Sequence, residues 1–259
     1  IVSFWDYTDY AIIPDLIFDN YIYIFEGCLS NEGGLCLTFK TYLSTFFFCF
    51  FTWLITLVLG FCVAYFLAFY VNSIPLQVCL FLVCTIPFWT SNVIRMVSWI
   101  PLLGRNGLVN EFFLSLGIID QPIEWLLYSS FSVILALVHL YTLFMIVPIF
   151  NSMIRIDRSI VEAAYDAGAS HRQIIFNIII PLSKTGIIIG SIFVVTVVMG
   201  DFLTIGIMGG QQLASVGKII NTEMNYLQFP GAAANAVILL MITIFIICLL
   251  YTSPSPRDW

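Results

Sequence analysis

Very few side chains in this sequence have the type and position to bind a charged group. Arg95, His139 and Asp201 stand inside long apolar runs, where a charged group is costly and usually faces a partner or water. Trp99 follows Arg95 by about one helical turn and offers a ring face to a cation. This pattern indicates contacts with a charged solute. The alternative is that Arg95 reaches the outer headgroups or pairs with Asp201 as a structural contact.

The same side chains do not form a catalytic arrangement. The apolar runs contain no pair of nucleophile and base and no set of metal ligands, so we predict no catalytic, metal-binding or cofactor-binding residues. The pattern GxxxxGK[ST], which cradles nucleotide phosphates, is also missing from the sequence. Any energy from ATP must therefore come through another subunit. His139 is interpreted as a packing residue.

One long polar segment, 159–181, interrupts the apolar second half of the chain with SIVEAAYDAGASHRQIIFNIIIP. Ser159 with Glu162, and Ser170 with Gln173, have the spacing of two capping boxes. The polar segment is therefore predicted to form two short helices. Such a pair of helices between membrane spans favours a docking surface for a soluble partner.

The small residues of the polar segment suit a surface that enters a groove on another protein. Ala163 and Ala164 add little bulk and favour helix. Gly168 lies between the two helices and permits a left-handed turn, in which a Cβ would be strained. Pro181 is predicted to end the second helix near the membrane, because proline lacks a donor and clashes with the preceding turn.

Composition places these residues in a membrane protein. The 259 residues are 61% hydrophobic and 9% charged, with a mean hydropathy of +1.02, whereas soluble domains average about 25% charged residues. Several apolar runs reach the ~20 residues that span a bilayer. We predict an all-α polytopic fold with about five spans, near 43–70, 76–103, 127–150, 185–208 and 232–251.

Charge distribution sets the orientation of these spans. The loop 151–184, which contains the polar segment, carries four basic residues, Arg155, Arg158, Arg172 and Lys184. The loops on the opposite side are poor in basic residues and rich in carboxylates. Residues 1–42 are therefore predicted to be extracytoplasmic, and 43–251 to form a transmembrane domain in which the loop 151–184 is cytoplasmic.

The two ends of the chain carry separate expectations. The chain begins with Ile1, and its first 42 residues contain no uncharged run long enough to span, which predicts that a preceding span is missing. The tail 252–259 changes composition abruptly and is a candidate for foreign sequence. Cys28 and Cys36 would be able to pair in an oxidising compartment. The other five cysteines are interpreted as small buried hydrophobes.

The polar segment resembles the EAA signature of ABC importer permease subunits. That signature is EAA, three residues, Gly, nine residues and then I-x-L-P. The chain departs from it mildly, with Ile180 at the Leu position. The matching positions are Glu162, Ala163, Ala164, Gly168, Ile178 and Pro181.

Other stretches of the chain resemble spermidine/putrescine-type permeases. Together with the signature they cover roughly residues 40–250. They are Ile86 to Thr90 with Arg95, Gly107 with Asn110 to Phe112, Gly117 to Asp120, Gly209 with Gly210, and Pro230 to Ala233.

The resemblance implies a type I ABC importer in a bacterial inner membrane. Two permease subunits form the path, separate ATPase subunits bind ATP-Mg in the cytoplasm, and an extracytoplasmic binding protein delivers the solute. For this chain it implies that the matched signature residues contact the ATPase. It also implies a partner permease that is a paralogue, a polyamine solute, contact with lipid and no nucleic-acid partner. The first of the six spans usual in the family would be absent.

The rival interpretation is an ion-coupled secondary transporter, which works through carboxylates within the membrane. Asp201 and His139 are the groups available for that role, and no inverted repeat is visible in the sequence. A neighbouring gene for a P-loop ATPase, together with a second permease of the EAA type, would favour the importer.

Overall fold

The computed structural model describes residues 2–8, 11–25, 36–210 and 212–252. The regular secondary structure of the described residues is helical apart from a short antiparallel hairpin, in which β1 (Asp6–Thr8) pairs with β2 (Ala11–Ile13). Cys36 is disulfide-bonded, whereas Cys28 and nearly all of the tail 252–259 lie outside the described residues.

The described residues contain helices of very different lengths. Short 3₁₀ turns lie at Val2–Phe4, Ile86–Trp89 and Glu124–Leu126, and π-helical turns lie at Phe66–Tyr70 and Ile175–Ile179. The α-helices are α1 Asp19–Ile24, α2 Leu37–Tyr65, α3 Ile74–Thr85, α4 Asn92–Leu103, α5 Leu108–Ser115, α6 Ser130–Met153, α7 Arg158–Asp166, α8 His171–Ile174, α9 Ile180–Gly200, α10 Leu203–Met208, α11 Val216–Asn225 and α12 Phe229–Tyr251.

Four helical runs within the described residues are long and apolar enough to cross a membrane, and a fifth candidate is broken. The continuous runs are Leu37–Tyr70, Glu124–Met153, His171–Gly200 and Phe229–Tyr251. The predicted second span, near 76–103, is a pair of helices bent by 88°. Pro87 lies in the 3₁₀ turn before this break, where its missing N–H favours an interruption. The all-α membrane fold is confirmed.

The chain folds into two compact units, each made of segments that are distant in sequence. The first unit comprises 1–51, 93–137 and 196–246, and the second comprises 52–92, 138–195 and the residues from 247 onward. Arg95, Trp99 and Asp201 belong to the first unit. The residues of the polar segment all belong to the second.

The N-terminal part of the first unit is folded, although the sequence predicts a loop there. Buried Asn20 donates from Nδ2 to the carbonyl oxygens of Ser3 at 3.2 Å and Trp5 at 2.8 Å. The Thr38 hydroxyl donates to the Ile24 carbonyl oxygen at 2.6 Å. The helix α2 starts before residue 43 because a helix, unlike a membrane-buried run, tolerates polar residues in its first turns.

Buried hydroxyl groups connect the helices of the first unit. The Thr45 hydroxyl oxygen of α2 accepts the Val216 N–H that opens α11, at 3.1 Å. The Ser132 hydroxyl of α6 donates to the Met208 carbonyl oxygen at the end of α10, at 3.1 Å. Both bonds satisfy backbone groups that the helix ends leave without partners. The large, fully buried side chains of the first unit include Phe48, Met96, Leu137, Met199 and Met208.

Glycines let the helices of the second unit approach closely, as is common in membrane bundles. A Cβ added to Gly60 of α2 would lie 2.7 Å from the Met145 Cγ of α6. A Cβ added to Gly186 of α9 would collide with the Pro148 carbonyl oxygen and lie 2.6 Å from the Ser152 Cβ. The contact at Gly186 involves backbone and therefore has little room to relax.

Gly186→Ala is expected to lower the free energy of unfolding by about 1–3 kcal/mol, the usual cost of overpacking. The thermal unfolding midpoint of the detergent-purified protein measures this change. The control is Gly206→Ala in α10, where an added Cβ meets nothing within 4 Å. Equal midpoints for the two variants would show that α6 and α9 do not pack this closely.

Candidate functional site

The first helix of the polar segment, α7, begins earlier than the sequence predicts. Its N-cap is Asp157, whose carboxylate accepts the Ser159 N–H at 3.0 Å, and this bond lowers the pKa of Asp157. The predicted capping box of Ser159 with Glu162 is therefore wrong, because the aspartate caps the helix first. The exposed Glu162 side chain has no hydrogen bond to any described residue.

The turn after α7 is built around a left-handed glycine, as predicted. Gly168 has φ +81°. Its N–H donates to the Tyr165 carbonyl oxygen at 2.9 Å, and the Ala169 N–H donates to the Ala164 carbonyl oxygen at 3.0 Å. These two bonds are the Schellman pattern that satisfies the last carbonyl groups of a helix. A Cβ at Gly168 would meet nothing within 4 Å, so only the backbone conformation requires glycine there.

The second helix of the polar segment starts with the predicted capping box, which is confirmed. The Gln173 N–H donates to the Ser170 hydroxyl oxygen at 3.4 Å, and the Ser170 N–H donates to Gln173 Oε1 at 2.8 Å. The reciprocal pair fixes the direction in which the chain leaves the turn at Gly168.

That second helix does not end at Pro181, contrary to the prediction. The chain passes from α8 through the π-helical turn into α9, so that one helical run extends from His171 to Gly200. The Ile180 N–H bonds to the Ile175 carbonyl oxygen, five residues back. The extra residue in this turn accommodates the proline ring, which would otherwise clash with a carbonyl group. The turn at Gly168 is therefore continuous with a membrane-spanning helix.

The matched signature residues differ in exposure. Glu162, Ala163, Gly168 and Pro181 are exposed, whereas Ala164 and Ile178 are half-buried. On α7 the exposed signature residues are Glu162 and Ala163, and the larger side chains of Ile160 and Tyr165 are exposed beside them.

Arg158 connects the start of α7 to the end of the helical run Leu37–Tyr70, which begins with α2, and to the loop just after it. Its guanidinium donates from Nη1 to Asn72 Oδ1 at 2.6 Å and from Nη2 to the Ala68 carbonyl oxygen at 3.2 Å. The planar guanidinium holds two acceptors at once, which fixes orientation as well as distance. From the sequence Arg158 is only one of the loop charges, and no residue pattern indicates this contact.

His171 forms a second connection between the same elements. Its Nδ1 shares a hydrogen bond with the Tyr165 hydroxyl of α7 at 2.7 Å, and its Nε2 lies 3.4 Å from the Tyr65 hydroxyl of α2. The imidazole thus links both helices of the polar segment to α2.

Arg158→Ala is expected to lower ATP-driven transport about three- to tenfold, the fold-change for losing about 1 kcal/mol, the net contribution of a typical hydrogen bond. The physical reason is the lost connection between α7 and α2. Transport and ATPase rates of the reconstituted complex measure the effect. The matched control is Arg155→Ala, which removes the same charge from an exposed residue of the same loop. Equal losses in the two variants would assign the effect to charge alone.

The three candidate path residues lie in one compact unit. Arg95 and Trp99 are half-buried on α4. Asp201 lies between α9 and α10 and is also half-buried. Its carboxylate accepts the Thr204 N–H at 2.9 Å and the Thr204 hydroxyl at 2.6 Å. Asp201 therefore has a structural role at the start of α10, which the sequence analysis did not foresee.

A buried asparagine holds the loop between α4 and the 3₁₀ turn before α6. Asn110 is fully buried and donates from Nδ2 to the carbonyl oxygens of Gly104, Arg105 and Ile123 at 3.0, 3.2 and 3.1 Å. Its Oδ1 accepts the Ile123 N–H at 2.9 Å. Asn110 is one of the positions that resemble the polyamine permeases, and its role in this chain is structural.

Comparison with known families identifies the class of protein. The chain belongs to the binding-protein-dependent transport system inner membrane components, whose family model matches residues 22–257. It is therefore a multi-pass inner-membrane permease of the ABC importer class, a subunit that is not catalytic and carries no cofactor. Permeases of this class pair with ATPases, another permease and a periplasmic binding protein.

Within this class, the chain is similar to individual spermidine/putrescine permeases. The chain is 37% identical over 188 residues to the spermidine/putrescine transport system permease protein PotB of Escherichia coli K12, covering 72% of this chain and 67% of PotB. It is 38% identical over 144 residues to PotB of Haemophilus influenzae, covering 56% of this chain and 50% of that protein. The chain thus spans about two thirds or less of the length of these relatives. The predicted resemblance to this group of permeases is confirmed.

A solved structure shares the fold. The crystal structure of a bacterial alginate ABC transporter, in complex with its alginate pentasaccharide-bound periplasmic protein, contains a chain that aligns with a TM-score of 0.69. The alignment covers 90% of this chain and 81% of that chain at 16% identity. At this identity the likeness concerns the fold alone.

Proposed function

We propose that this chain forms half of the translocation path of an ATP-driven polyamine importer. Its solute is spermidine, putrescine or a close analogue, and the other half of the path is a paralogous permease. The observation that supports the polyamine is the 37% identity to PotB over 72% of the chain. ATPase subunits and an extracytoplasmic binding protein complete the assembly.

Coupling to the ATPase is assigned to the polar segment within the cytoplasmic loop 151–184. Its contact residues are Glu162, Ala163, Ala164, Gly168, Ile178 and Pro181. The exposed Glu162 and Ala163 of α7 support this role. The contact of His171 with Tyr65 of α2 and the continuous helical run from His171 through α9 support it as well. In this arrangement residues 1–42 are extracytoplasmic and Arg95, Trp99 and Asp201 contribute to the path.

Reconstitution tests the proposed function. The chain, its partner permease and the ATPase are placed in liposomes together with the binding protein, and uptake of radiolabelled spermidine and putrescine is measured. Uptake that requires both ATP and the binding protein is expected. Uptake driven by an ion gradient without ATP would favour a secondary transporter. ATP-driven uptake of a different solute would retain the importer and refute the polyamine.

A further inference from the structure

A cavity of about 520 Å³ lies within the first unit, between α1, α2, α11 and α12. Its walls combine apolar side chains, among them Leu37 and Ile219, with Tyr23, Thr38, Glu223 and Asn235. Apolar walls with a few convergent polar groups are typical of small-molecule sites. No binding site was predicted here from the sequence, because Glu223 lies in a mixed polar and apolar loop and not in an apolar run.

Glu223 is a half-buried carboxylate held by an amide. Buried Asn235 donates from Nδ2 to both carboxylate oxygens, each at 3.0 Å. Burial raises the pKa of Glu223, against the opposing effect of that hydrogen bond. Among the described residues, no basic side chain forms an ion pair with Glu223. Lys218, also on α11, instead donates a hydrogen bond from its ammonium group to the Leu213 carbonyl oxygen at 3.2 Å.

One tyrosine side chain lines the cavity, and two more interact electrostatically with this carboxylate. Tyr23 forms part of the cavity wall, and Tyr7 of β1 lies within electrostatic reach of both Tyr23 and Glu223. Tyr42 of α2 lies within reach of Glu223 as well. The Tyr42 hydroxyl is buried and has no hydrogen-bond partner among the described residues. A cation in the cavity would lie beside the Tyr23 ring.

A glycine leaves space beside the carboxylate. A Cβ added to Gly231, in the first turn of α12, would lie 3.9 Å from both carboxylate oxygens of Glu223. A larger side chain at this position would occupy the space that a ligand needs next to the charge. Gly231 also belongs to the stretch that resembles polyamine permeases.

We propose that this cavity binds the primary ammonium group of an alkylamine, with Glu223 as its counter-charge. An ammonium group supplies three donors, which suit the two Glu223 carboxylate oxygens and the Thr38 hydroxyl oxygen in the cavity wall. The apolar walls at Leu37 and Ile219 accommodate a methylene chain. The choice of putrescine as the ligand rests on the proposed function. Putrescine carries a primary ammonium group at each end of a methylene chain.

Direct binding to the purified transporter, without the binding protein, tests the site. The complex of this chain with its partner permease and ATPase is titrated with radiolabelled putrescine. Glu223→Gln keeps the size of the side chain and an acceptor for Asn235, and it is expected to weaken binding roughly ten- to hundredfold, as for loss of a charge-assisted bond. Gly231→Val is expected to weaken binding by filling the space. The matched control is Glu124→Gln, which removes an exposed carboxylate of the same unit that pairs with Arg105 at 3.5 Å.

The outcomes separate the site from the proposed function. Binding that is unchanged in Glu223→Gln, or absent in a wild-type complex that does transport putrescine, overturns the site and leaves the polyamine importer standing. If putrescine is neither bound nor transported, other alkylamines are titrated. Binding of one of them that depends on Glu223 would retain the site and refute the polyamine. Failure of every alkylamine to bind would overturn the site.

Discussion

Gly168→Val is expected to reduce ATP-driven uptake at least about tenfold while the chain remains folded and inserted. Gly168 holds φ +81°, and a side chain in the left-handed region costs about 1–2 kcal/mol even without a β-branch. No atom lies within 4 Å of the added Cβ. The whole cost therefore falls on the turn between α7 and α8, and the turn is expected to change shape. Uptake in proteoliposomes and co-purification of the ATPase measure the result.

The matched control is Gly168→Asn, because asparagine tolerates the left-handed conformation better than other residues. Asn should retain most of the uptake, although it adds more volume than glycine. If Val and Asn behave alike, size at the docking surface explains the loss. Normal uptake in Gly168→Val would mean that the turn does not take part in coupling.

Glu162→Ala is expected to lower ATPase stimulation and uptake about tenfold, with thermal stability unchanged to within about 0.5 kcal/mol. The structure removes the capping role that the sequence predicts for Glu162, since Asp157 caps α7. The Glu162 side chain is exposed and has no partner among the described residues. The proposed function assigns this carboxylate a contact with the ATPase. Such a contact contributes about 1.5–3 kcal/mol when charge-assisted.

The control for Glu162 is Glu111→Gln, which removes an exposed carboxylate from α5 in the first unit. It should change neither uptake nor stability. A drop in the melting temperature of Glu162→Ala would indicate an intramolecular role. Full ATPase stimulation in that variant would remove Glu162 from the contact with the ATPase.

The sequence was sufficient for features that depend on local chemistry. The apolar runs predict the membrane spans, because a span needs about 20 apolar residues whatever its neighbours are. The left-handed Gly168 and the capping box of Ser170 with Gln173 follow from rules that act over a few residues. Both are present in the structure.

Two kinds of feature were not predictable from the sequence. They are features decided by competition between neighbouring residues for one role, and contacts between residues that are far apart in the sequence. Two candidate caps, Asp157 and Ser159, lie within one turn, and the sequence alone does not show which one starts α7. Pro181 is tolerated inside a helix because of a π-helical turn that no residue pattern predicts. The contact of Arg158 with Asn72 joins residues that are 86 positions apart. The carboxylate of Glu223 meets Asn235 only after α11 and α12 have packed.

A site-specific photo-cross-linking residue in place of Ala163 tests most directly whether the polar segment docks on the ATPase. Ala163 is exposed on α7 beside Glu162. Irradiation of the assembled transporter is expected to give a covalent adduct with the ATPase subunit. As a control, the photo-cross-linking residue replaces Trp125, which is exposed in a loop predicted to be extracytoplasmic. This variant should give no adduct with the ATPase. An assembled, transport-active complex with no ATPase adduct at position 163, or with one at position 125, would contradict docking through α7.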